Sequence, residues 1–394
     1  MEVVRVLFGV WILVSWVLSV LGEGVRGALP CDFPAIYNFG DSNSDTGGIF
    51  AAFYPAGPPS GETFFHQPAG RGSDGRLIID FIAKGLGLPY LSAYLDSVGT
   101  SFRHGANFAT GGSTIRRLNE SFFVTGVSPF SLDVQIVQFG QFRARTSNLY
   151  NQAKKESQRI NLPRPEDFSK ALYTFDIGQN DIAAGFRTMS NEQFKAVIPD
   201  IIGQFAAAVQ VSCTGKRVHL YQEGARAFWI HNTGPFGCLP VTLHYYHRPL
   251  PGILDQHGCV IAQNNMAKQF NRQLKKSIIS LREQLPDATL TYVDVFAAKY
   301  KLIRSATKEG FLDARNICCG YHEDGSHVWC GNKAQINGSE VYAGSCEDPS
   351  RYISWDGIHY TEAANYWVAN HIIDGSFSDP PLSITNACQK GRSL

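Results

Sequence analysis

Charge is scarce in this chain and evenly balanced. Only 18% of its 394 residues are charged, with 35 Lys and Arg against 34 Asp and Glu, a formal net charge of +1. No excess of one sign is left to hold a phosphate backbone or an anionic membrane surface, so no nucleic-acid partner is expected and an uncharged substrate is. Long apolar runs are absent after the first 22 residues, so no stable membrane span is expected in the mature protein. Repeats, low-complexity blocks and dividing linkers are missing too. Residues 29–394 therefore read as a single domain with a polar C-terminal tail from about 376. At 44% hydrophobic the chain is long enough for a large buried core.

The one long apolar run lies at the N-terminus. Arg5 precedes an uncharged stretch over residues 6–22, and small residues follow at Gly22, Gly27 and Ala28. This pattern reads as a secretory signal over residues 1–28, cleaved between 22 and 30, with a retained signal anchor as the alternative. All nine cysteines lie beyond it, and an oxidising compartment favours their pairing. Cys318, Cys319, Cys330 and Cys346 cluster as zinc ligands do, but the adjacent pair and the secretory route argue against a metal knot, and no metal or organic cofactor is expected. Cys238 with Cys259 is the expected local pair. Nine is odd, so one thiol is left over; Cys388, in the polar tail, is the candidate for a disulfide-linked homodimer. Two sequons, at Asn119 and Asn337, fit glycosylation on the same route.

Short β-like runs alternate with longer helical patterns. Strands are predicted at 33–39, 170–178, 226–232 and 288–295. Helical spacing of apolar residues covers 191–213 and 261–285, and a last helix is expected from about Thr361 to Ile373. Apolar strands separated by helices indicate an α/β fold, a central parallel sheet covered on both faces as a three-layer α/β/α sandwich. Ligands of such sheets sit beyond the carboxyl ends of the strands. Polar clusters that follow strands are therefore the candidates.

Four clusters qualify. "GDSNSDTGG" follows the first strand and offers Ser42 at a strand-to-helix junction, where helix N–H groups suit an oxyanion. A serine among Gly, Asn and Asp is also an ordinary turn or cap residue. "NFATGGS" ends in Gly111 and Gly112, whose bare backbone can approach a substrate. "GQND" places the Asn180 amide after another strand. "WDGIH" sets Asp356 and His359 three apart, close enough for carboxylate and imidazole to bond, although a capping aspartate beside an incidental histidine would look the same. His66, His104 and His231 also lie near strand ends. "NTGPFGCLP" after a further strand reads as a rigid turn.

In that order, "FGDSNSD" (39–45), "NFATGG" (107–112), "GQND" (178–181) and "DGIH" (356–359) resemble the GDSL or SGNH hydrolases. The likeness spans about 31–375 and is strongest to the secreted plant GDSL esterases and lipases, a subgroup with nodulin-like, fucosidase-labelled and acetylcholinesterase-type members. The resemblance implies a flavodoxin-like α/β/α fold with loop and helical insertions, and an extracellular or cell-wall location. It implies Ser42 as nucleophile, His359 as base and Asp356 as its orienting partner. The oxyanion hole would comprise the Ser42 N–H, the Asn180 amide and a glycine N–H from Gly112 or Gly111; the spacing from Asn107 favours Gly112. Asn43 stands where the family's name-giving pattern has Leu.

A serine needs a base oriented by a third group to become nucleophilic. The expected activity is therefore ester hydrolysis through an acyl-enzyme, on small-molecule or glycan esters carrying short, acetyl-type acyl groups. Choline esters are a variant, for which Tyr37, Phe39, Phe64, Phe65, Phe122, Phe123 and Trp355 are candidate cage residues. Competing readings are an acyltransferase using the same acyl-enzyme, a glycosidase-like wall protein, for which no convincing carboxylate pair is found, and a secreted binding protein without catalysis.

Overall fold

The computed structural model describes residues 29–210, 219–244, 252–323 and 326–390. The signal segment 1–28 and Cys213 lie outside the described residues. Six strands form one sheet in the order β2-β1-β3-β4-β5-β8. They are β1 (Ile36–Gly40), β2 (Gly105–Asn107), β3 (Leu172–Asp176), β4 (Ala227–His231), β5 (Thr289–Val293) and β8 (Ser378–Asp379). The first five run parallel and β8 antiparallel. Strands covered on both faces need apolar residues at every position, and "IYNFG", "LYTFD" and "AFWIH" are buried throughout.

Alternation along β1 sends Tyr37 and Phe39 to one face and Ile36 to the other. The first face carries α4 (Leu132–Gln152), α5 (Gln179–Thr188), α6 (Asn191–Val209) and α8 (Ile261–Gln284). There Phe39 stacks on Phe108 and Phe175 at 5.4 and 5.3 Å between ring centroids. The opposite face carries α2 (Ile78–Gly85), α9 (Val295–Arg304) and α10 (Glu362–Ile373) around Trp229. The shorter helices α1 (Gly48–Ala52), α3 (Phe122–Thr125) and α7 (Pro240–His244) lie in connections. α10 starts where its cap permits: Thr361 Oγ1 accepts the Ala364 N–H at 3.2 Å, satisfying a donor the helix cannot pair itself.

The expected strands and long helices form, within a few residues of their predicted bounds. Three findings go beyond them. β2 is only three residues, "GAN", too short and too small to make an apolar run; the pairing with β1 defines it. The polar segment past 376 is docked on the domain: β8 closes the sheet edge, and Ile384 and Ala387 are fully buried. A separate hairpin, β6 (Lys333–Ile336) with β7 (Ser339–Tyr342), turns through Asn337 and Gly338 at φ 50° and 82°. Asn and Gly tolerate that left-handed turn, so the Asn337 sequon sits exposed at its tip; Asn119 is exposed as well.

Eight of the nine cysteines are paired: Cys31–Cys388, Cys238–Cys259, Cys318–Cys346 and Cys319–Cys330. The local pair 238–259 is as expected, and the 318–346 cluster forms two disulfides. Cys388 is committed to Cys31, which overturns its assignment as an interchain thiol. That link spans 357 residues, and loops of such length contribute about 3–5 kcal/mol by restricting the unfolded chain. Among the described residues no helix is long and apolar enough to cross a membrane.

Candidate active site

The sheet order 2-1-3-4-5 places a crevice between β1 and β3, where connections leave in opposite directions. Both flanking strands end in a singled-out motif. After β1, the Asp41 N–H donates to the Asp176 carbonyl at 3.0 Å, a last rung between β1 and β3, and Ser44 N–H closes a turn on the Asp41 carbonyl at 3.1 Å. Ser42 sits at the crest of this turn, partly exposed. The turn does not open a helix directly: α1 begins only at Gly48, because Asp45 first caps it. The Asp45 carboxylate accepts the N–H groups of Gly47, Gly48 and Ile49 at 2.8, 2.5 and 3.0 Å. Asp41 braces the other side, accepting Asn43 N and Nδ2 at 3.0 and 2.8 Å. Below, Asn38 ties the three strands together, donating to Asn107 and Ser44 and accepting from Thr174.

Asp356 and His359 meet as their spacing predicts. Asp356 Oδ1 accepts the backbone N–H groups of Ile358 and His359, which shapes the turn. Its Oδ2 lies 2.6 Å from His359 Nδ1. Burial alone would push the Asp356 carboxyl up, but the His359 charge and hydrogen bonds outweigh it and hold the group below the usual carboxylate range. For His359, burial pulls the imidazole down, yet Asp356 outweighs it, with a further contribution from Asp41, and the net shift is upward. Nδ1 is committed to Asp356, while the buried Nε2 has no hydrogen-bond partner among the described residues. Ser42 Oγ and Nε2 are not hydrogen-bonded to each other. Such bonds in unliganded sites commonly tighten only with substrate.

The donor candidates separate. The Gly111 N–H is taken by Asp45 Oδ2 at 2.7 Å. Gly112 makes its own contacts through its carbonyl, which accepts Ser128 N–H at 2.9 Å, and its N–H is unpaired among the described residues. At φ 76°, with the Gly126 carbonyl 2.0 Å from where a Cβ would stand, position 112 admits only glycine. Asn180, at the start of α5, gives one amide proton to the Ser113 carbonyl at 3.0 Å and keeps the other. Its neighbour Asp181 pins the Gly112 loop by accepting Ile115 and Arg116 N–H groups.

The remaining histidines lie elsewhere. His104 bonds the Pro34 carbonyl before β1, and His66 the Glu62 carbonyl at the surface. His231 at the end of β4 meets Asp176 Oδ2 at 3.1 Å. The candidate cage residues are engaged separately: Tyr37, Phe39 and Trp355 are core residues, Phe64 and Phe65 lie under Arg76 and Arg71, and Phe122 and Phe123 pack on Phe53. "NTGPFGCLP" is a buttressed turn in which Thr233 and Asn271 exchange hydrogen bonds. A cavity of about 570 Å³ is lined by Thr46, Gly47, Phe50, Phe65, Arg71 and Tyr90 among others. Ser42, Asn180, Asp356 and His359 do not line it. A Cβ built on Gly72, next to the lining residue Arg71, would stand 3.4 Å from His359 Nδ1.

One buried group has no motif to announce it. Lys299 on α9 is 5% exposed, with Nζ 3.5 Å from Asn43 Oδ1 and 4.6 Å from the Tyr360 ring centroid. The periodicity does hold a signal: Val295, Ala298, Lys299 and Leu302 share the buried stripe of α9, where a lysine is out of place.

The sequence profile of the GDSL-like Lipase/Acylhydrolase family matches residues 36–372. A GDSL esterase/lipase of Arabidopsis thaliana is 60% identical over 379 residues, covering 95% of each chain. The GDSL esterase/lipase ACHE of Zea mays is 52% identical, over 91% of this chain and 89% of its own. A protein of Hevea brasiliensis named esterase is 47% identical, over 92% and 91%. Matches of this extent, on a chain whose four motifs gather at the carboxyl ends of one parallel sheet, mean that it belongs to the GDSL-like lipase/acylhydrolase family and is a carboxylic ester hydrolase.

Proposed function

We propose that the chain is a secreted N-glycoprotein that hydrolyses short-acyl, acetyl-type esters through an acyl-enzyme on Ser42. The observation that supports this best is the Asp356–His359 pair at 2.6 Å. It spends Nδ1 and leaves Nε2 as the only ring nitrogen able to accept a proton, in a loop whose charge is felt by Asp41, the residue before Ser42. Nε2 takes the Ser42 proton as Oγ attacks the ester carbonyl. The Ser42 and Gly112 N–H groups and the free Asn180 amide proton hold the oxyanion. The imidazolium then protonates the departing alcohol, and the same nitrogen takes a proton from water for deacylation. We assign the alcohol portion, a glycan or a small molecule such as choline, to the cavity lined by Thr46 and Arg71.

A fluorophosphonate probe tests the nucleophile. The wild-type chain should label at Ser42 and hydrolyse an aryl acetate. Ser42→Ala should lose both while keeping its thermal midpoint. Undiminished hydrolysis in that variant overturns the assignment. A panel of acetylcholine, acetylated oligosaccharides, aryl acetates and long-chain esters then ranks substrates, and a preference for long acyl chains refutes the acetyl-type reading.

A further inference from the structure

Lys299 is an expensive residue to bury. An ammonium needs three acceptors, and among the described residues this one has one long hydrogen bond, to Asn43 Oδ1, and one aromatic face, Tyr360. A buried charge so poorly paired is costly, and a methionine would fill the same space without that cost. The two groups it does touch are unusual in their position. Asn43 follows Ser42, and Tyr360 follows His359. A single side chain from α9 therefore reaches the residue after the proposed nucleophile and the residue after the proposed base, although the two lie more than 300 positions apart in sequence.

The surroundings fit an electrostatic role. Asp41 is fully buried, with Oδ2 unpartnered among the described residues. Asp176, from the end of β3, and Asp41 both stabilise the Lys299 charge, and burial opposes it. His231 from β4 is bound to Asp176. His359 thus faces Asp356 on its own loop, Asp41 from the β1 turn and Lys299 from α9. The two carboxylates favour its protonated form, while Lys299 disfavours it. Without a counterweight, Asp356, joined by Asp41 as that carboxyl ionises, would bias the imidazole further toward the protonated form, which cannot act as base.

We propose that Lys299 is a positioning residue that holds the Ser42 turn against the His359 loop and keeps His359 available as the base by setting a positive charge against Asp356 and Asp41. This rests on the reading of Ser42 and His359 as nucleophile and base. The head group gives the two loops a shared anchor, and its charge offsets the acidic pair.

Lys299→Met keeps the length and bulk of the side chain and removes the charge. In this variant the acidic limb of kcat/KM should move to higher pH by about 0.5–1 unit, and kcat should fall about tenfold or more with KM within twofold. Lys299→Arg keeps the charge on a bulkier head; its acidic limb should stay at the wild-type pH while kcat falls. The same shift should appear in the His359 imidazole followed by NMR in histidine-labelled protein, which needs no turnover. A Met variant with a wild-type limb and a wild-type imidazole titration overturns the proposal, as does an Arg variant displaced as far as Met. If Lys299→Met does not fold, Lys299→Gln takes its place, and equal limbs in the Gln and Arg variants overturn the proposal. An inactive wild-type chain, or activity surviving Ser42→Ala, would instead refute the underlying reading and leave the NMR titration to decide the charge effect.

Discussion

Asp45 Oδ2 accepts the N–H of Gly111 at 2.7 Å, so the carboxylate that caps α1 also fixes the loop opposite. Of two adjacent glycines, one has its N–H engaged in structure and the other keeps an N–H with no partner among the described residues. The donor roles should divide accordingly. Gly111→Ala meets Ile49 Cγ2 at 3.0 Å and its Cβ at 3.3 Å, a β-branched side chain that must shift slightly, and keeps its bond to Asp45; it should retain most activity. Gly112→Ala drives a Cβ into the Gly126 carbonyl and should lose activity in whatever fraction folds. Asn180→Ala should lower kcat about 10²–10³-fold with little change in KM, as the loss of one oxyanion donor does. Steady-state kinetics on purified, folded variants decide this, and an active Gly112→Ala with a dead Gly111→Ala would reverse the assignment.

Asp356 raises the proton affinity of His359 through charge and a hydrogen bond, against the opposing effect of burial. Asp356→Asn removes the charge and keeps the shape. The His359 imidazole should then titrate lower, so the acidic limb of kcat/KM should move to lower pH. The rate itself should fall about 10³–10⁴-fold, because the amide no longer fixes the tautomer that leaves Nε2 free. A pH–rate profile from pH 4 to 9 reads both effects. A limb that moved upward would contradict the charge relation described above.

Burial, and then the neighbouring Asp176, raise the Asp41 carboxyl to about 7, against the opposing Asn43 hydrogen bonds and the His359 charge. A group whose folded pKa lies above its unfolded value favours the fold while protonated. Its contribution is full below about pH 4 and is lost as pH rises through 7. Asp41→Asn stays neutral throughout, so its stability relative to wild type should grow between pH 5 and pH 8, by roughly 2 kcal/mol. Denaturant midpoints at the two pH values measure this, and an advantage that shrinks with pH would count against a strained Asp41.

What the sequence makes legible here follows from where the physical signal is local. β1, β3, β4 and β5 are runs of large apolar residues, and each can be read from its own composition. Asp356 and His359 are three residues apart, so one turn brings them together. Residues 105–107 form a strand only because Ile36, Tyr37 and Asn38 lie beside them, and no composition of "GAN" carries that. That the Gly111 N–H is engaged depends on Asp45, more than sixty residues upstream, and nothing in the glycine pair itself announces it. Lys299 broke the apolar stripe of its own helix, which is a visible anomaly, but its two contacts belong to the opposite ends of the chain.

The Cys31–Cys388 link joins the first cysteine of the chain to the last. Cys31 leaves the ribosome first and its partner leaves last, so every other bridge is free to close while this thiol waits. In the folded chain the Cys31 N–H donates to the Thr385 carbonyl at 2.6 Å, so the segment docked after β8 holds the two sulfurs within reach. A free thiol at Cys31 is therefore a mark of an unfinished molecule, and its disappearance records that the whole chain has arrived and docked.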